Sequence, residues 1–304
     1  MVRSISAALI RLLSLLALTG SLAAPDPAAV RSAQFPAYAA LMPAESVWIS
    51  ENYCGSNALI LTETHPRADE HLSSAYVYTE IYLPDVHNLK TWYADDPEHA
   101  VRSDADIATA AWQSGAAFAV NGDSYAVQGV NAVRNGHVLN ACVSSYDLCV
   151  LYEDGSMQTI PGEKLHSQAA VEAFLQNAWQ AWSFGPILLN PDGSPVHDFS
   201  GLGNEYLTRV HPRTAIGYFG PGHYAIVSVF GYRDDLPGVT LEELSAYFAF
   251  LGCRQAYNLD GGGSTHLWFH GSERGWPSEA CELSDFIYIV STAQAAEFAV
   301  QSKT

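Results

Sequence analysis

Three stretches alternate apolar with smaller or polar positions and are rich in β-branched and aromatic residues: Tyr76-Val77-Tyr78-Thr79-Glu80-Ile81-Tyr82-Leu83, Tyr224-Ala225-Ile226-Val227-Ser228-Val229-Phe230 and Phe286-Ile287-Tyr288-Ile289-Val290. That composition predicts strands. Helical spacing fits better over residues 103–114, 167–181 and 240–251. Strands and helices mix without the strict alternation of a doubly wound sheet, so the expected fold is α+β, with mixed, largely antiparallel sheets flanked by a few helices in a single domain. Two stretches share one grammar. Ser103 with Asp106, and Thr240 with Glu243, have the spacing in which side chain and backbone satisfy each other's donors at a helix start. Gly115 and Gly252 then stand where a left-handed terminal residue is wanted. Each is followed by an apolar strand that stops at a glycine-hinged polar corner, Phe118-Ala119-Val120-Asn121-Gly122-Asp123 in one case and Tyr257-Asn258-Leu259-Asp260-Gly261-Gly262-Gly263-Ser264-Thr265 in the other. Asp123 and Asp260 are thereby expected at strand ends, where loops held by a rigid sheet carry function. The three glycines remove side chains where a backbone must approach something closely, and they permit positive φ.

The rest of the chain sets the context. In residues 1–23, Arg3 and Arg11 precede the apolar stretch from Leu12 to Leu18, and Ser21-Leu22-Ala23 has the small-x-small pattern of a cleavage site. A signal peptide cut near Ala23 is the expectation, with a secreted or periplasmic product. A retained anchor fits less well, because the apolar run falls short of the roughly 20 residues that span a bilayer. Residues 24–74 read as an exported lead-in and first elements, residues 75–292 as the principal domain, and residues 293–304 as a tail. The net charge of −18 disfavours nucleic acid as a partner, since phosphate backbones require a basic surface. An anionic substrate then needs a few arginines concentrated locally. Five cysteines in an exported chain suggest two disulfides and one thiol left over. The expected pairs are Cys142 with Cys149 and Cys253 with Cys281, leaving Cys54, although spacing alone does not determine connectivity.

Several familiar sites fail on a residue each. Gly262-Gly263-Ser264-Thr265-His266 lacks the final glycine of a nucleophile elbow. No lysine precedes Ser264 as a phosphate-cradling loop demands. The eleven histidines contain no His-Glu-x-x-His pattern, and a lone His211 or His266 reads first as a hydrogen-bonded structural residue.

An ordered series of motifs remains: Ala119-Val120-Asn121-Gly122-Asp123, Arg134-Asn135-Gly136, Phe184-Gly185-Pro186-Ile187-Leu188, His211-Pro212-Arg213-Thr214-Ala215-Ile216-Gly217, Gly238-Val239-Thr240-Leu241-Glu242-Glu243-Leu244, and Asn258 to Thr265. In this order the chain resembles the phosphodiester glycosidases, the domain of N-acetylglucosamine-1-phosphodiester alpha-N-acetylglucosaminidase, over roughly residues 75–292. The Asn-Gly-Asp and Arg-Asn-Gly forms resemble the bacterial branch associated with exopolysaccharide biosynthesis. Two departures stand out: Ser124 intervenes before Tyr125 where an aromatic usually follows directly, and the family's Asp-Gly-Arg-like turn is Phe230-Gly231-Tyr232-Arg233 here. The first bears on substrate shape, and the second puts a role for Arg233 in doubt.

The resemblance implies hydrolysis of a sugar 1-phosphodiester at the anomeric carbon. A phosphate departs as a stabilised anion, so a strong general acid matters less than charge stabilisation. Arginines can grip phosphate oxygens in bidentate fashion and glycine amides can form an anion-binding concavity, which nominates Arg134 and Arg213 with Gly261, Gly262 and Gly263. Asp260 is the candidate base or charge stabiliser, with Asp123 beside it and Arg213 as the third catalytic candidate. Asn121, Gly122, Gly185, Thr214, Ser264 and Thr265, from the same motifs, complete the expected substrate contacts. Each has an architectural alternative: Asp260 and Asp123 as turn carboxylates, Arg213 as the partner of a buried acid. No cofactor is required by this chemistry, although Asp123, Asp260 and Asn121 offer the oxygen ligands that calcium prefers. A non-catalytic envelope protein that binds or assembles anionic polysaccharide is the competing reading.

Overall fold

The computed structural model describes residues 47–49, 51–93, 105–123, 130–202 and 205–292. The expected signal peptide and its lead-in up to residue 46, Ser103, Ser124, Tyr125 and the C-terminal tail lie outside these residues. Three antiparallel sheets make up the domain. The first has seven strands in the order Val47–Ile49, Asn52–Cys54, Leu59–His65, Tyr76–Tyr82, His223–Val229, Arg213–Gly220 and Gln255–Asn258. The second has five, Met157–Ile160, Leu148–Tyr152, Ala178–Trp182, Ala132–Arg134 and His137–Asn140. The third also has five, Ser272–Arg274, Leu267–Phe269, Ala116–Asn121, Asp285–Val290 and Leu89–Tyr93.

Strand periodicity explains how the sheets are arranged. Side chains alternate between faces with period two, and in each sheet one set meets a common core while the other meets a helix. The common core takes Ile216 and Ile226 from the first sheet, Leu151 and Trp182 from the second, and Val120 and Ile287 from the third. Their neighbours in sequence point outward. Ala215 and Val227 pack under the helix Leu241–Leu251, Val150 and Ala181 under Gln168–Leu175, and Ala119 and Phe286 under Ile107–Ser114. The result is a three-sided prism of sheets with a helix on each outer face. Because these strands are buried on both sides, their sequences are apolar almost throughout.

Thr240 and Glu243 form the expected capping box, with the Glu243 N–H donating to Thr240 Oγ1 at 3.2 Å and the Thr240 N–H to Glu243 Oε2 at 3.0 Å. Gly115 and Gly252 close their helices in the left-handed conformation. Burial of Leu244 and Phe248 beneath the first sheet contributes about 1.5–3 kcal/mol each. The segment 167–181 divides. Its helix ends at Leu175, Asn177 turns with φ +59°, and Ala178–Trp182 becomes a strand. The first helix starts later than its spacing predicts, capped by Asp106, which accepts from the Thr109 N–H at 2.8 Å.

The expected disulfides are not formed, and all five cysteines are free thiols. Cys149 faces the common core, whereas the Cys142 thiol lies 3.8 Å from the Val130 carbonyl. Cys253 sits beneath the helix Leu241–Leu251, and Cys281 packs instead on the outer cluster of the third sheet. Cys253 and Cys281 thus belong to the outer clusters of different sheets. No helix among the described residues is long and apolar enough to cross a membrane.

Candidate functional site

The three sheets converge at one end of the prism. There, Arg213–Gly220, Asp285–Val290 and Ala132–Arg134 begin, while Gln255–Asn258, Ala116–Asn121 and Ala178–Trp182 end. Antiparallel pairing brings these termini together: Ala215 lies opposite Asn258, and Phe286 opposite Asn121. The two corners predicted to carry acids are joined directly. The Asp260 N–H donates to the Gly122 carbonyl at 3.1 Å, and Asn121 Nδ2 donates to the Asp260 carbonyl at 2.7 Å. Thr214 Oγ1 donates to Asn121 Oδ1 at 2.7 Å, tying the first sheet to the third. Asn258 Nδ2 donates to the Gly185 carbonyl at 2.8 Å, which secures the Phe184–Ile187 segment alongside.

Asp260 is half-buried at the head of the glycine turn. Its Oδ1 accepts from the Gly261 N–H at 2.8 Å. Burial pushes its carboxyl up to about 6 and the charge of Asp123 adds to the effect, against hydrogen bonds from Ser264 and Gly261 that favour the ionised form. A carboxyl poised there can exchange a proton near neutral pH.

Asp123 has a different environment. It is buried, with Oδ2 accepting from the Ser183 N–H at 2.8 Å and Oδ1 bound by Arg134 Nη2. Arg134 is fully buried and also grips Asp285, Nε donating to Oδ2 at 2.8 Å with Nη2 on the same oxygen, while Nη1 donates to the carbonyls of Val133 and Ala181. All five N–H donors of the guanidinium are therefore used inside the protein. Burial works against its charge, but Asp123 and Asp285 outweigh it and hold Arg134 above its ordinary value. Burial, with the charge of Asp123, drives the Asp285 carboxyl well above the usual carboxylate range despite Arg134. Two carboxyl groups thus share one guanidinium, and hydrogen bonds between them and Arg134 offset the cost of burying charge in a dry interior. Gly122 is required beside it, because a Cβ there would lie 2.1 Å from Asp285 Oδ1.

Arg213 is buried too, and its Nη2 donates to the carbonyls of Leu207 at 3.0 Å and Arg209 at 2.7 Å. Burial pulls it down to about 10. The guanidinium thus braces the 207–209 segment against the start of its own strand. Of the glycine amides, Gly261 donates to Asp260 and Gly262 to the Pro212 carbonyl at 2.9 Å. Among the described residues no acceptor is recorded for the Gly263 N–H, so that amide has a donor to spare. Each Asp123 oxygen accepts a hydrogen bond, and Arg134 sets a positive charge beside them.

Four residues that the sequence reading did not assign to the site define this end of the molecule. Asp285 heads the last apolar strand, and that position was its only textual sign. Tyr232 rests its hydroxyl over Gly262, and the Glu279 carboxylate lies against Gly263. Asp147 supports the Ser183–Ile187 segment, accepting from the Gly162 N–H at 3.0 Å and the Ile187 N–H at 3.1 Å, while its carbonyl takes the Tyr257 hydroxyl at 2.7 Å. A separate hollow of about 500 Å³, lined by Tyr218, Arg254 and Gln255 among others, opens at the opposite ends of the same strands and is no part of this site.

A three-sheet α+β domain with an acid at the head of a glycine turn is the class that fold and site define. The family model for phosphodiester glycosidases matches residues 114–290, and the chain belongs to that family. The catalytic domain of zebrafish N-acetylglucosamine-1-phosphodiester alpha-N-acetylglucosaminidase, solved in a form auto-inhibited by its pro-peptide, superposes with a TM-score of 0.57 at 17% identity, covering 78% of this chain and 89% of that one. A hypothetical protein from Synechocystis gives 0.50 at 15% identity over 77% of this chain and 62% of its own. Among curated sequences, the SPbeta prophage-derived uncharacterized protein YomE of Bacillus subtilis (strain 168) is 26% identical over 164 residues, which are 54% of this chain and only 24% of that relative.

Proposed function

We propose that this protein hydrolyses the glycosidic bond of a sugar 1-phosphodiester, releasing the free sugar and leaving a phosphomonoester on the acceptor, and that it does so outside the cytoplasm on envelope or exopolysaccharide material. The observation that carries the reading is Asp260, a half-buried carboxyl raised to about 6 at the head of a turn whose Gly263 amide has no acceptor among the described residues. In the proposed reaction the bond between the anomeric carbon and the phosphate oxygen breaks, and the electron pair leaves with the phosphate. Water bonds to the anomeric carbon, and its proton passes to the Asp260 carboxylate. Negative charge on Asp260 also favours the oxocarbenium-like transition state. In this reading the Gly263 N–H donates to a phosphate oxygen. Arg134, Asp123 and Asp285 act from behind, as a hydrogen-bonded support that keeps the Asn121–Asp123 corner, and through it Asp260, in place. The name of the zebrafish relative supports an N-acetylglucosamine 1-phosphodiester as the first substrate to try.

The test is release of free sugar from UDP-N-acetylglucosamine and simple sugar 1-phosphodiesters by wild type and Asp260→Asn. Turnover should fall at least roughly 100-fold in a folded variant. Because the carboxylate form is the active one, wild-type kcat/KM should fall as pH drops below about 6. Undiminished turnover in Asp260→Asn would end the proposal. Binding of anionic polysaccharide without turnover of any substrate would establish the non-catalytic reading instead.

A further inference from the structure

Tyr232 has a backbone conformation its residue type resists. Its φ is +63°, in the left-handed region where a bulky side chain is an outlier, and strain of this kind collects where function requires it. The ring is nevertheless 51% exposed. Its hydroxyl is fixed by His211 Nδ1 at 2.6 Å, and the two rings meet edge to face with centroids 5.4 Å apart. The same hydroxyl lies over Gly262, where a Cβ would come within 2.9 Å of it. Two further contacts hold the base of this arm. Phe230, just upstream, is buried against Trp276 in an edge-to-face pair at 5.9 Å. Immediately downstream, Arg233 and Leu236 exchange backbone hydrogen bonds of 3.1 and 3.0 Å. A large aromatic side chain is thus held in place and half open to solvent, its hydroxyl over Gly262, which lies two residues along the turn from Asp260.

Burial would explain such a ring if it were packed, and a loose surface position would explain it if the backbone were relaxed. Neither applies. Aromatic residues with an apolar body and a hydrogen-bonded tip suit surfaces where one face meets a ligand that is itself part apolar and part polar. A pyranose is such a ligand, with a C–H face and a rim of hydroxyls. We propose that Tyr232 is the sugar-stacking residue of this site, placing the C–H face of a hexopyranose so that its anomeric carbon meets Asp260. This deepens the reading above and rests on it for the location of the reacting carbon. It also gives a use to the position at which the chain departs from the family's turn, where the sequence alone offered none.

The informative variant is Tyr232→Gly, because glycine is at ease at this φ and removes the ring without disturbing the backbone; Tyr232→Trp keeps an aromatic face. With UDP-N-acetylglucosamine as substrate, Tyr232→Gly should raise KM about tenfold or more, change kcat far less and leave the melting temperature no lower. Tyr232→Trp should retain most of the affinity. In parallel, saturation-transfer NMR with N-acetylglucosamine and N-acetylglucosamine 1-phosphate should show contact with wild type that is lost in Tyr232→Gly and kept in Tyr232→Trp. Unchanged KM and unchanged contact in Tyr232→Gly overturn the stacking role and leave the hydrolase reading standing. Sugar contact that depends on Tyr232 in a protein without turnover has the reverse meaning. No contact of either sugar with wild type, in the absence of turnover, overturns the stacking proposal.

Discussion

Replacing Asp260 by Asn should stabilise the protein while it disables it, and the stabilisation should depend on pH. The ordinary value of an aspartate is 3.8, and burial lifts Asp260 to about 6 in the folded chain. The folded state therefore holds this proton more tightly than the unfolded state does. Stability from that difference is fully present below 3.8, declines as pH rises through about 6, and is gone above it. At pH 8 the wild type bears the whole cost of ionising a half-buried carboxyl. A shift of roughly two units corresponds to at most about 3 kcal/mol, which Asn does not incur. Asn also keeps an oxygen for the Gly261 N–H, so the turn loses little. For a domain of this size the ceiling is a rise of roughly 6–12 °C in Tm at pH 8. The assay is thermal unfolding of wild type and Asp260→Asn at pH 8 and near pH 4, where the difference should shrink towards zero. A variant less stable than wild type at pH 8, or a difference that does not change with pH, would refute the electrostatic account and return Asp260 to the status of a satisfied turn residue.

The remaining predictions concern the support behind it. Arg134→Met leaves Asp123 without its cation and should cost about 3–5 kcal/mol in denaturant unfolding, a loss of folding rather than of substrate affinity. Gly122→Ala drives a methyl into the Asp285 carboxyl and should lower Tm by several degrees with the same effect on every substrate; unchanged stability would mean that Asp285 is not where it is described. Arg213→Lys keeps the charge but loses the planar fork that reaches the Leu207 and Arg209 carbonyls. Because that guanidinium faces backbone rather than the glycine turn, turnover of a sugar 1-phosphodiester and of a neutral aryl glycoside should fall equally, and a loss confined to the phosphodiester would assign Arg213 to the leaving group.

What could be read from the sequence follows from what each feature depends on. Strands such as Tyr76–Tyr82 and Asp285–Val290 are covered on both faces, so composition alone marks them. The capping box at Thr240 is local and is present as expected. Where the outcome depended on a distant segment, local reading failed. The stretch 167–181 has helical spacing throughout, but pairing of Ala178–Trp182 with Leu148–Tyr152 claims its second half for a sheet. Cys253 and Cys281 suit each other by position in the chain, yet they pack in the outer clusters of different sheets. The site divides on the same principle. Asn121, Thr214 and Asp260 meet as their motifs suggested, because each ends or begins a strand at the converging end of the prism. Asp123 and Arg134 looked like ligand groups because a carboxylate and a guanidinium near glycines are the usual means of holding a phosphate. Here Asp285, more than 150 residues along the chain from either, completes a buried trio in which every Arg134 donor and both Asp123 oxygens have protein partners. An ionic group in a motif is therefore evidence that the corner matters, but only its partners decide whether it meets the substrate or supports the residue that does. By that criterion the proposed chemistry at this end of the prism rests on Asp260, whose carboxyl is held by one turn and otherwise left to exchange its proton.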